Sequence, residues 1–259
     1  MKSVVCIKQV PDTAARVTAD NGKVSWGEAP LVINPWDEYA VEAALLQKEE
    51  TGGDVVAVSV GDESAKEALK HALAMGASEA VLISDPALAG ADSQAVAKVL
   101  AAAIEKIGEV QAAFFGRQAV DGDMGVTAPQ TARALGWPAL SLVSVVRSVD
   151  SGGGTICVER SVEEGRQVVE GKLPVVISVV KDIGEPRYPS FMGIRKASKA
   201  NIPVWSLADL GLPAPETAVR WPEVMNPPAR EVKTEMIGGS SPQEIAETLA
   251  DKILGEGVL

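Results

Sequence analysis

The sequence predicts an α/β fold in which a mostly parallel, twisted sheet is flanked by helices. Short runs rich in valine and isoleucine alternate with stretches of helical periodicity, and these runs are apolar throughout. Such strands are buried on both faces, which is typical of a parallel sheet covered by helices. Hydrophobic residues make up 46% of the 259 residues and aromatic residues only 4%, so we expect a core of small and branched side chains.

The first half of the chain is predicted to contain four strands, each followed by a helix. The strands fall at residues 3–10, 54–61, 79–85 and 110–116, and the helices at 35–50, 62–76, 92–108 and 127–136. Pro35 near its start and the apolar spacing of Tyr39, Ala43 and Leu46 indicate the first helix. Gly76 is the expected C-cap of the second helix.

After Trp137 the pattern changes to consecutive strands, at residues 139–150, 155–162, 166–172 and 174–182. The turn sequence DSGGG is expected to join the first two as an antiparallel pair, and these strands can extend the same sheet. From Gly184 the chain is rich in proline and loops, until a final helix at 241–254 that Ser241 and Pro242 open.

We therefore expect an α/β domain at residues 1–183, a loop at 184–200 and a C-terminal arm at 201–259. A tail of this length adds little to the stability of the domain, so we interpret it as an arm laid on another chain. A free C-terminus is the alternative, but Trp205 and Trp221 would then be poorly buried.

The charge and cysteine content exclude several classes of protein. The net charge of −11 disfavours non-specific binding to nucleic acid or to an anionic membrane. Cys6 and Cys157 lie in separate apolar runs, so we expect neither a metal site nor a disulfide framework. The apolar runs are much shorter than the ~20 residues of a membrane span, and we expect a cytoplasmic protein.

Familiar catalytic and nucleotide-binding signatures are missing from the sequence. It contains neither the GxGxxG of dinucleotide-binding domains nor the GxxxxGK[ST] of P-loop proteins. His71 is the single histidine and is expected on the solvent side of its helix, so a serine or cysteine hydrolase has no evident base. If the protein takes part in a reaction, a cofactor must supply the chemistry.

The stretch GRQAVDGDMGVTAP, residues 116–129, follows a buried strand and precedes a helix that we expect to begin near Met124. Ligands of parallel α/β sheets collect at such strand ends, and a helix N-terminus attracts anions. Gly116, Gly122 and Gly125 would let the backbone approach a nucleotide phosphate. A simple turn with an aspartate N-cap explains the stretch equally well.

The chain resembles the β subunit of electron transfer flavoprotein over nearly its whole length. The resemblance rests on the segments VCIKQVPDT, INPWDEYAVEAAL, ALKHALAMGASEAVLISD, GRQAVDGD, LPVVISVVKDIGEPRYP and IRKASK. It implies an adenine-nucleotide-hydrolase-like, Rossmann-like domain at 1–183 and an arm that packs on an α subunit. It implies no catalytic side chain and no metal.

The resemblance also implies a site for FAD or AMP. The implied contacts are Cys6, Asn34, Pro35, Trp36, Asp37, Val60, Gly61, Gly116, Arg117, Gln118, Ala119, Val120, Asp121, Gly122, Asp123, Met124, Gly125, Val126 and Thr127. Asp121 and Asp123 would shape the loop, by capping N–H groups or by reaching ribose hydroxyls, because carboxylates repel phosphate.

Two subgroups of the family differ in this loop. Gly122 and Pro129 resemble the DGDTAQVGP of electron-bifurcating members that hold FAD, whereas Thr127 resembles the DDDCNQT of members that hold structural AMP. A glycine at 122 also reduces repulsion with a diphosphate. We therefore expect FAD, with AMP as the alternative.

The resemblance further implies partners. The loop at 184–200 resembles the segment that docks on acyl-CoA dehydrogenases, with Phe191 as the apolar anchor. The implied docking residues are Arg187, Phe191, Met192, Ile194, Arg195 and Lys196. Further expected partners are NADH as electron donor and ferredoxin or flavodoxin as acceptor. A stand-alone sensor of adenine nucleotides, without redox chemistry, is the alternative function.

Overall fold

A computed structural model describes residues 1–229, 231 and 234–257. The chain divides into two compact units, residues 1–224 and 225–259. Residues 201–224, which we placed in the predicted arm, belong to the first unit. The packing of an arm on another chain stays a prediction.

The first unit contains all thirteen described strands. They are β1 (Ser3–Cys6), β2 (Gln9–Pro11), β3 (Thr18–Asp20), β4 (Lys23–Ser25), β5 (Leu31–Ile33), β6 (Val55–Val60), β7 (Glu79–Ile83), β8 (Ala112–Gly116), β9 (Ala139–Asp150), β10 (Thr155–Val162), β11 (Gly165–Lys172), β12 (Val175–Val179) and β13 (Val204–Trp205). The α-helices of this unit are α1 (Pro35–Thr51), α2 (Lys66–Met75), α3 (Ser93–Ile107), α4 (Thr127–Leu135) and α5 (Phe191–Ala197).

Nine strands form one sheet in the order β11-β10-β9-β12-β8-β1-β6-β7-β13. All neighbours pair in parallel except β9–β10 and β10–β11, which are antiparallel. Asp150 pairs with Thr155 across the predicted DSGGG turn. The predicted α/β class with a mostly parallel sheet is confirmed, and the consecutive strands extend the same sheet.

Helices cover both faces of the sheet. One core cluster joins the strands to α1 and α2, through residues such as Val41 and Leu69. The other joins them to α3 and α4, through residues such as Leu100 and Ala132. After β7 the chain returns through α3 to β8, on the opposite side of β1 from β6. This reversal creates a topological switch point between β1 and β8, where open α/β sheets bind ligands.

Several local predictions were wrong in detail. The predicted strand at 3–10 breaks after Cys6, where the backbone N–H of Lys8 donates to the Asp37 carboxylate at 2.7 Å, and β2 then pairs with β5 instead. The hairpin of β3 and β4, the helix α5 and the strand β13 were not predicted. β13 extends the sheet beside β7, and the ammonium of Lys106 lies 4.6 Å from the centre of the Trp205 ring.

The second unit contains α6 (Pro242–Gly255), as the predicted helix at 241–254 anticipated. The Ser241 hydroxyl caps this helix by accepting the N–H of Glu244 at 3.2 Å. None of the helices that the structure describes combines the length and apolarity needed to cross a bilayer.

Candidate functional site

A cavity of about 410 Å³ opens at the carboxyl ends of β8, β1 and β6, beside the switch point. Cys6, Val60 and Gly116 line it from the three strand ends. Ser93 and Thr127, the first residues of α3 and α4, line it from two helix N-termini. The volume lies within the ~300–1,000 Å³ that is usual for ligand pockets.

Many of the predicted contact residues meet in this cavity. Those that line it are Cys6, Asp37, Val60, Gly116, Arg117, Gln118, Ala119, Gly122, Asp123, Met124, Gly125 and Thr127. Those outside its described lining are Asn34, Pro35, Trp36, Gly61, Val120, Asp121 and Val126. Asn34 acts indirectly, since its amide donates to the Gln118 carbonyl at 2.8 Å and accepts the Val120 N–H at 3.1 Å.

Sequence reasoning missed half of the lining. The residues missed are Ile7, Lys8, Gly90, Ala91, Asp92, Ser93, Val96, Leu100, Phe115, Ala128, Val219 and Trp221. Asp92 was a recognisable signal, because an aspartate directly before a helical run is a preferred N-cap. Its carboxylate accepts the Ala95 N–H at 2.8 Å. Nothing local indicated that this helix start shares a cavity with the loop at 116–127.

The N-terminus of α4 makes the cavity suitable for an anion, whereas that of α3 is capped by the Asp92 carboxylate. α4 begins at Thr127 with Val126 at its N-cap, in agreement with the predicted helix at 127–136 and three residues after the start expected near Met124. The side chain of Val126 carries no oxygen and Pro129 has no N–H, so the donors available to a ligand are the N–H groups of Thr127 and Ala128. The positive dipole end of α4 adds to this preference.

The three glycines of the loop have different roles. A Cβ at Gly116 would lie 2.6 Å from the carbonyl carbon and oxygen of Trp36, so this glycine admits the start of α1 rather than a phosphate. Gly125 has a φ of +62°, which is strained for other residues. A Cβ at Gly122 would meet open space.

The two loop aspartates bind side chains. The ammonium of Lys8 donates to both oxygens of Asp121, at 2.8 and 2.6 Å. The amide of Gln118 donates to Asp123. These contacts hold the loop against the end of β1 and within itself, and Lys8 also lines the cavity. The expected shaping of the loop is thus performed through side chains, rather than through N–H caps.

Asp37 is a buried carboxyl in the cavity wall. Burial raises its pKa from 3.8 to about 7, although hydrogen bonds from Asn34 and from the backbone of Lys8 and Gly116 oppose the rise. Burial also raises the pKa of the Cys6 thiol, and the nearby Asp37 adds to that effect. Cys6 therefore stays protonated and is a poor nucleophile.

The single histidine lies outside the described lining of this cavity. His71 on α2 is half-buried, and its Nε2 atom lies 2.8 Å from Oε1 of Glu38 on α1. Within the described residues, no group of three or more His, Cys, Asp or Glu side chains is arranged to hold a metal ion.

The predicted docking residues fall on α5 and the loop before it. Phe191 is 80% exposed, and Met192 and Ile194 are also exposed, as are Arg195 and Lys196. Arg187 differs from the rest, because its guanidinium binds the buried Glu42 and the exposed Glu49. Arg187 therefore anchors the loop to α1.

Comparison with known proteins identifies the family. Residues 27–210 match the model of the electron transfer flavoprotein domain. The chain belongs to the electron transfer flavoprotein family. The match includes the loop at 116–127, α5 and most of the cavity lining. Five lining residues lie outside the matched range, namely Cys6, Ile7, Lys8, Val219 and Trp221.

Three relatives of the family illustrate the match. The CarD subunit of the caffeyl-CoA reductase–Etf complex of Acetobacterium woodii is 37% identical, over 98% of each chain. The electron transfer flavoprotein β subunit of Thermoanaerobacterium thermosaccharolyticum is 42% identical, over 81% of this chain and 80% of its own. The FixA protein of Bradyrhizobium diazoefficiens is 36% identical, over 98% of this chain and 91% of its own.

These matches establish a coarse function. The chain has the function of an electron transfer flavoprotein β subunit, which is flavin-related electron transfer. Electron transfer flavoprotein β subunits pair with an α subunit.

Proposed function

We propose that this chain is the β subunit of an electron-bifurcating electron transfer flavoprotein. It would hold FAD in the cavity and accept electrons from NADH. It would pass them to ferredoxin or flavodoxin and, through the α subunit, to an acyl-CoA-type dehydrogenase in the cytoplasm. The observation that carries the proposal is the cavity in which two helix N-termini meet at the switch point of a parallel sheet.

The lining of the cavity fits an adenine nucleotide. Val60, Leu100 and Phe115 form an apolar wall suited to a planar ring. The first N–H groups of α4 are suited to phosphate oxygens, whereas those of α3 are capped by the Asp92 carboxylate. When bound, FAD supplies one- and two-electron redox chemistry, which side chains lack. The residues of this chain would bind the nucleotide, orient it and exclude water.

The choice of FAD over AMP rests on the carboxylates of the loop. The pyrophosphate of FAD would bring a second anionic phosphate to the loop, so carboxylates there are costly. Gly122 contributes no carboxylate, and the carboxylates of Asp121 and Asp123 are already engaged by Lys8 and Gln118. The loop is therefore compatible with a second phosphate group. AMP remains the alternative occupant.

The exposed face of α5 would meet the dehydrogenase. Phe191, Met192 and Ile194 expose apolar surface on a chain whose net charge is −11, next to the cations of Arg195 and Lys196. Such a tip suits a transient partner that offers an apolar socket with an acidic rim.

The experiment is to co-express the chain with its α subunit, record the visible spectrum and identify the released nucleotides by reversed-phase chromatography. Two FAD molecules per heterodimer support the proposal. AMP with one flavin would favour the non-bifurcating alternative, and a colourless monomer would favour the nucleotide sensor.

A matched pair of variants ties the bound nucleotide to the cavity. Val96 and Lys98 lie on α3, but only Val96 lines the cavity, whereas Lys98 is exposed. We expect Val96→Trp to reduce bound nucleotide to roughly a tenth, because the indole would occupy the cavity. Lys98→Trp should leave the nucleotide content unchanged. Equal contents in the two variants would place the nucleotide elsewhere.

A further inference from the structure

Trp221 lies at the mouth of the cavity and keeps 74% of its surface exposed. A tryptophan gains more from burial than most side chains, so an indole at the mouth of an apolar cavity is costly to leave in water. Exposed apolar surface in such a position marks a place where a ligand or partner binds.

A single carboxylate binds the segment that leads into this tryptophan. We call residues 218–221 the strap. Oδ2 of Asp92 accepts the N–H of Ala218 at 2.7 Å and that of Val219 at 3.0 Å, while Oδ1 accepts the Ala95 N–H at 2.8 Å. Asp92 thus caps α3 and holds the strap at the same time. Since the start of α3 lines the cavity, the strap is attached directly to the cavity wall.

We propose that Trp221 is the surface on which a planar heteroaromatic ring of the bound nucleotide stacks, and that Asp92 is the residue that positions it. This inference rests on the proposed nucleotide site. Every nucleobase and flavin offers a flat aromatic face, and an indole stacks on such faces with little loss of conformational freedom. The strap supplies the indole from outside the loop at 116–127, so the ring would be held between the cavity wall and Trp221.

The first test is titration of the nucleotide-free, full-length chain with AMP and, separately, with FAD. We expect Trp221→Ala to weaken binding about 5- to 150-fold, the range for loss of one stacked base, and Trp221→Phe to weaken it less than about 5-fold. Trp26→Ala is the matched control, because it also removes one indole but lies outside the cavity lining. Equal losses for AMP and FAD assign the stacked ring to adenine, and a loss confined to FAD assigns it to the flavin ring.

The second test separates positioning from helix capping. Asp92→Asn keeps one carbonyl oxygen, which can still cap α3, but its amide nitrogen cannot accept the strap N–H groups. We expect this variant to weaken AMP binding roughly 3- to 10-fold more in the wild-type background than in a Trp221→Ala background, because Asp92 positions Trp221. Loss of the Asp92 charge also reduces repulsion of the phosphate, but it does so in both backgrounds and cancels in the comparison.

The outcomes are distinct. Wild-type affinity in Trp221→Ala, with nucleotide still bound at the cavity, overturns this inference and leaves the nucleotide site intact. An equal change in affinity from Asp92→Asn in both backgrounds overturns the positioning role of Asp92. Failure of the wild-type chain to bind either AMP or FAD overturns the nucleotide site and this inference together.

Discussion

The guanidinium of Arg187 clasps the buried carboxylate of Glu42, with Nε 2.8 Å from Oε2 and Nη2 2.8 Å from Oε1. The backbone N–H of Arg187 donates to the same Oε2 at 3.0 Å, and Nη1 donates to Glu49 at 2.6 Å. These bonds attach the loop before α5 to α1, whose first turn carries Asp37 at the cavity. One helix thus supports both the cavity and the exposed tip.

We expect Arg187→Met to reduce the free energy of unfolding by about 2 kcal/mol. The substitution leaves the Glu42 carboxylate buried without its cation, and such losses reach about 3–5 kcal/mol when both partners are buried. The side chain of Arg187 is 33% exposed, so the effect should be smaller. Urea denaturation measures the change. The exposed Arg195→Met should change it by less than ~0.5 kcal/mol, and equal effects would contradict the anchoring role.

The raised pKa of Asp37 should make the free energy of unfolding decrease as the pH rises. Its pKa is raised from 3.8 to about 7 in the folded chain, so between these values the unfolded chain loses the proton first. The free energy of unfolding therefore falls by at most a few kcal/mol as the pH rises from about 4 to about 7. Above that pH it levels off. In Asp37→Asn this fall should disappear, which denaturation at a series of pH values measures.

Glu159 provides a control of opposite sign. Hydrogen bonds from Arg147 and Arg166 lower its pKa below 4.5, so its contribution is present above that value and is lost as the pH falls further. The wild-type chain should lose stability at acid pH as Glu159 is protonated, and Glu159→Gln should not show this loss. A fall between pH 4 and 7 that persists in Asp37→Asn would show that another group causes it.

The loop glycines should tolerate alanine very differently. Gly116→Ala places a Cβ 2.6 Å from backbone atoms of Trp36, so we expect a loss of about 3 kcal/mol or more. Gly125→Ala, at a φ of +62°, should cost about 1 kcal/mol. Gly122→Ala meets open space and should stay within about 0.5 kcal/mol of the wild type. Thermal unfolding measures the order, and a costly Gly122→Ala would contradict it.

Asp121 should restrain the affinity for anions. Its carboxylate engages the Lys8 ammonium at 2.6 Å, and the exposed pair adds little stability. We expect Asp121→Asn to change the free energy of unfolding by less than ~1 kcal/mol and to strengthen AMP binding roughly 2- to 5-fold, because Lys8 becomes available to phosphate. Titration at low and high salt checks this, since screening should erase the gain. Weaker binding at low salt would mean that the pair itself builds the site.

Phe191 should matter for electron transfer and not for stability. It is 80% exposed, so Phe191→Ala should leave the midpoint of unfolding and the cofactor content unchanged. The apparent kcat/KM for reduction of the partner dehydrogenase should fall at least 10-fold, as for an apolar interface anchor. Val168→Ala, which removes another exposed apolar side chain outside the predicted arm, is the control. A wild-type rate for Phe191→Ala would remove α5 from the docking surface.

The accuracy of the sequence-based predictions follows the range of the interactions involved. Periodicity and caps are local, so the helix from Pro35 and the C-cap at Gly76 were predicted correctly. The mostly parallel sheet followed from strands apolar on both faces. The short strand at Val204–Trp205 carries no such signal, because its place beside β7 depends on the completed sheet.

The same distinction applies to the cavity. The loop at 116–127 was recognisable because glycines and aspartates cluster in it, but the reason for Gly116 is the carbonyl of Trp36, 80 positions earlier in the chain. Trp221 lines the cavity three residues after Ala218, which together with Val219 donates to Asp92. Contacts between residues so far apart in the chain leave no pattern in either segment.

The position of β12 has a consequence for synthesis of the protein on the ribosome. This strand lies between β8 and β9, both of which are made before it. A nascent chain that stops short of Val175 therefore has a slot in the middle of its sheet, with hydrogen-bonding groups of both neighbours unfilled. Until residue 179 has left the exit tunnel, no strand joins the antiparallel ribbon of β9, β10 and β11 to the parallel part of the sheet. The unfinished chain then exposes the edges of β8 and β9, and unpaired strand edges can pair with other chains.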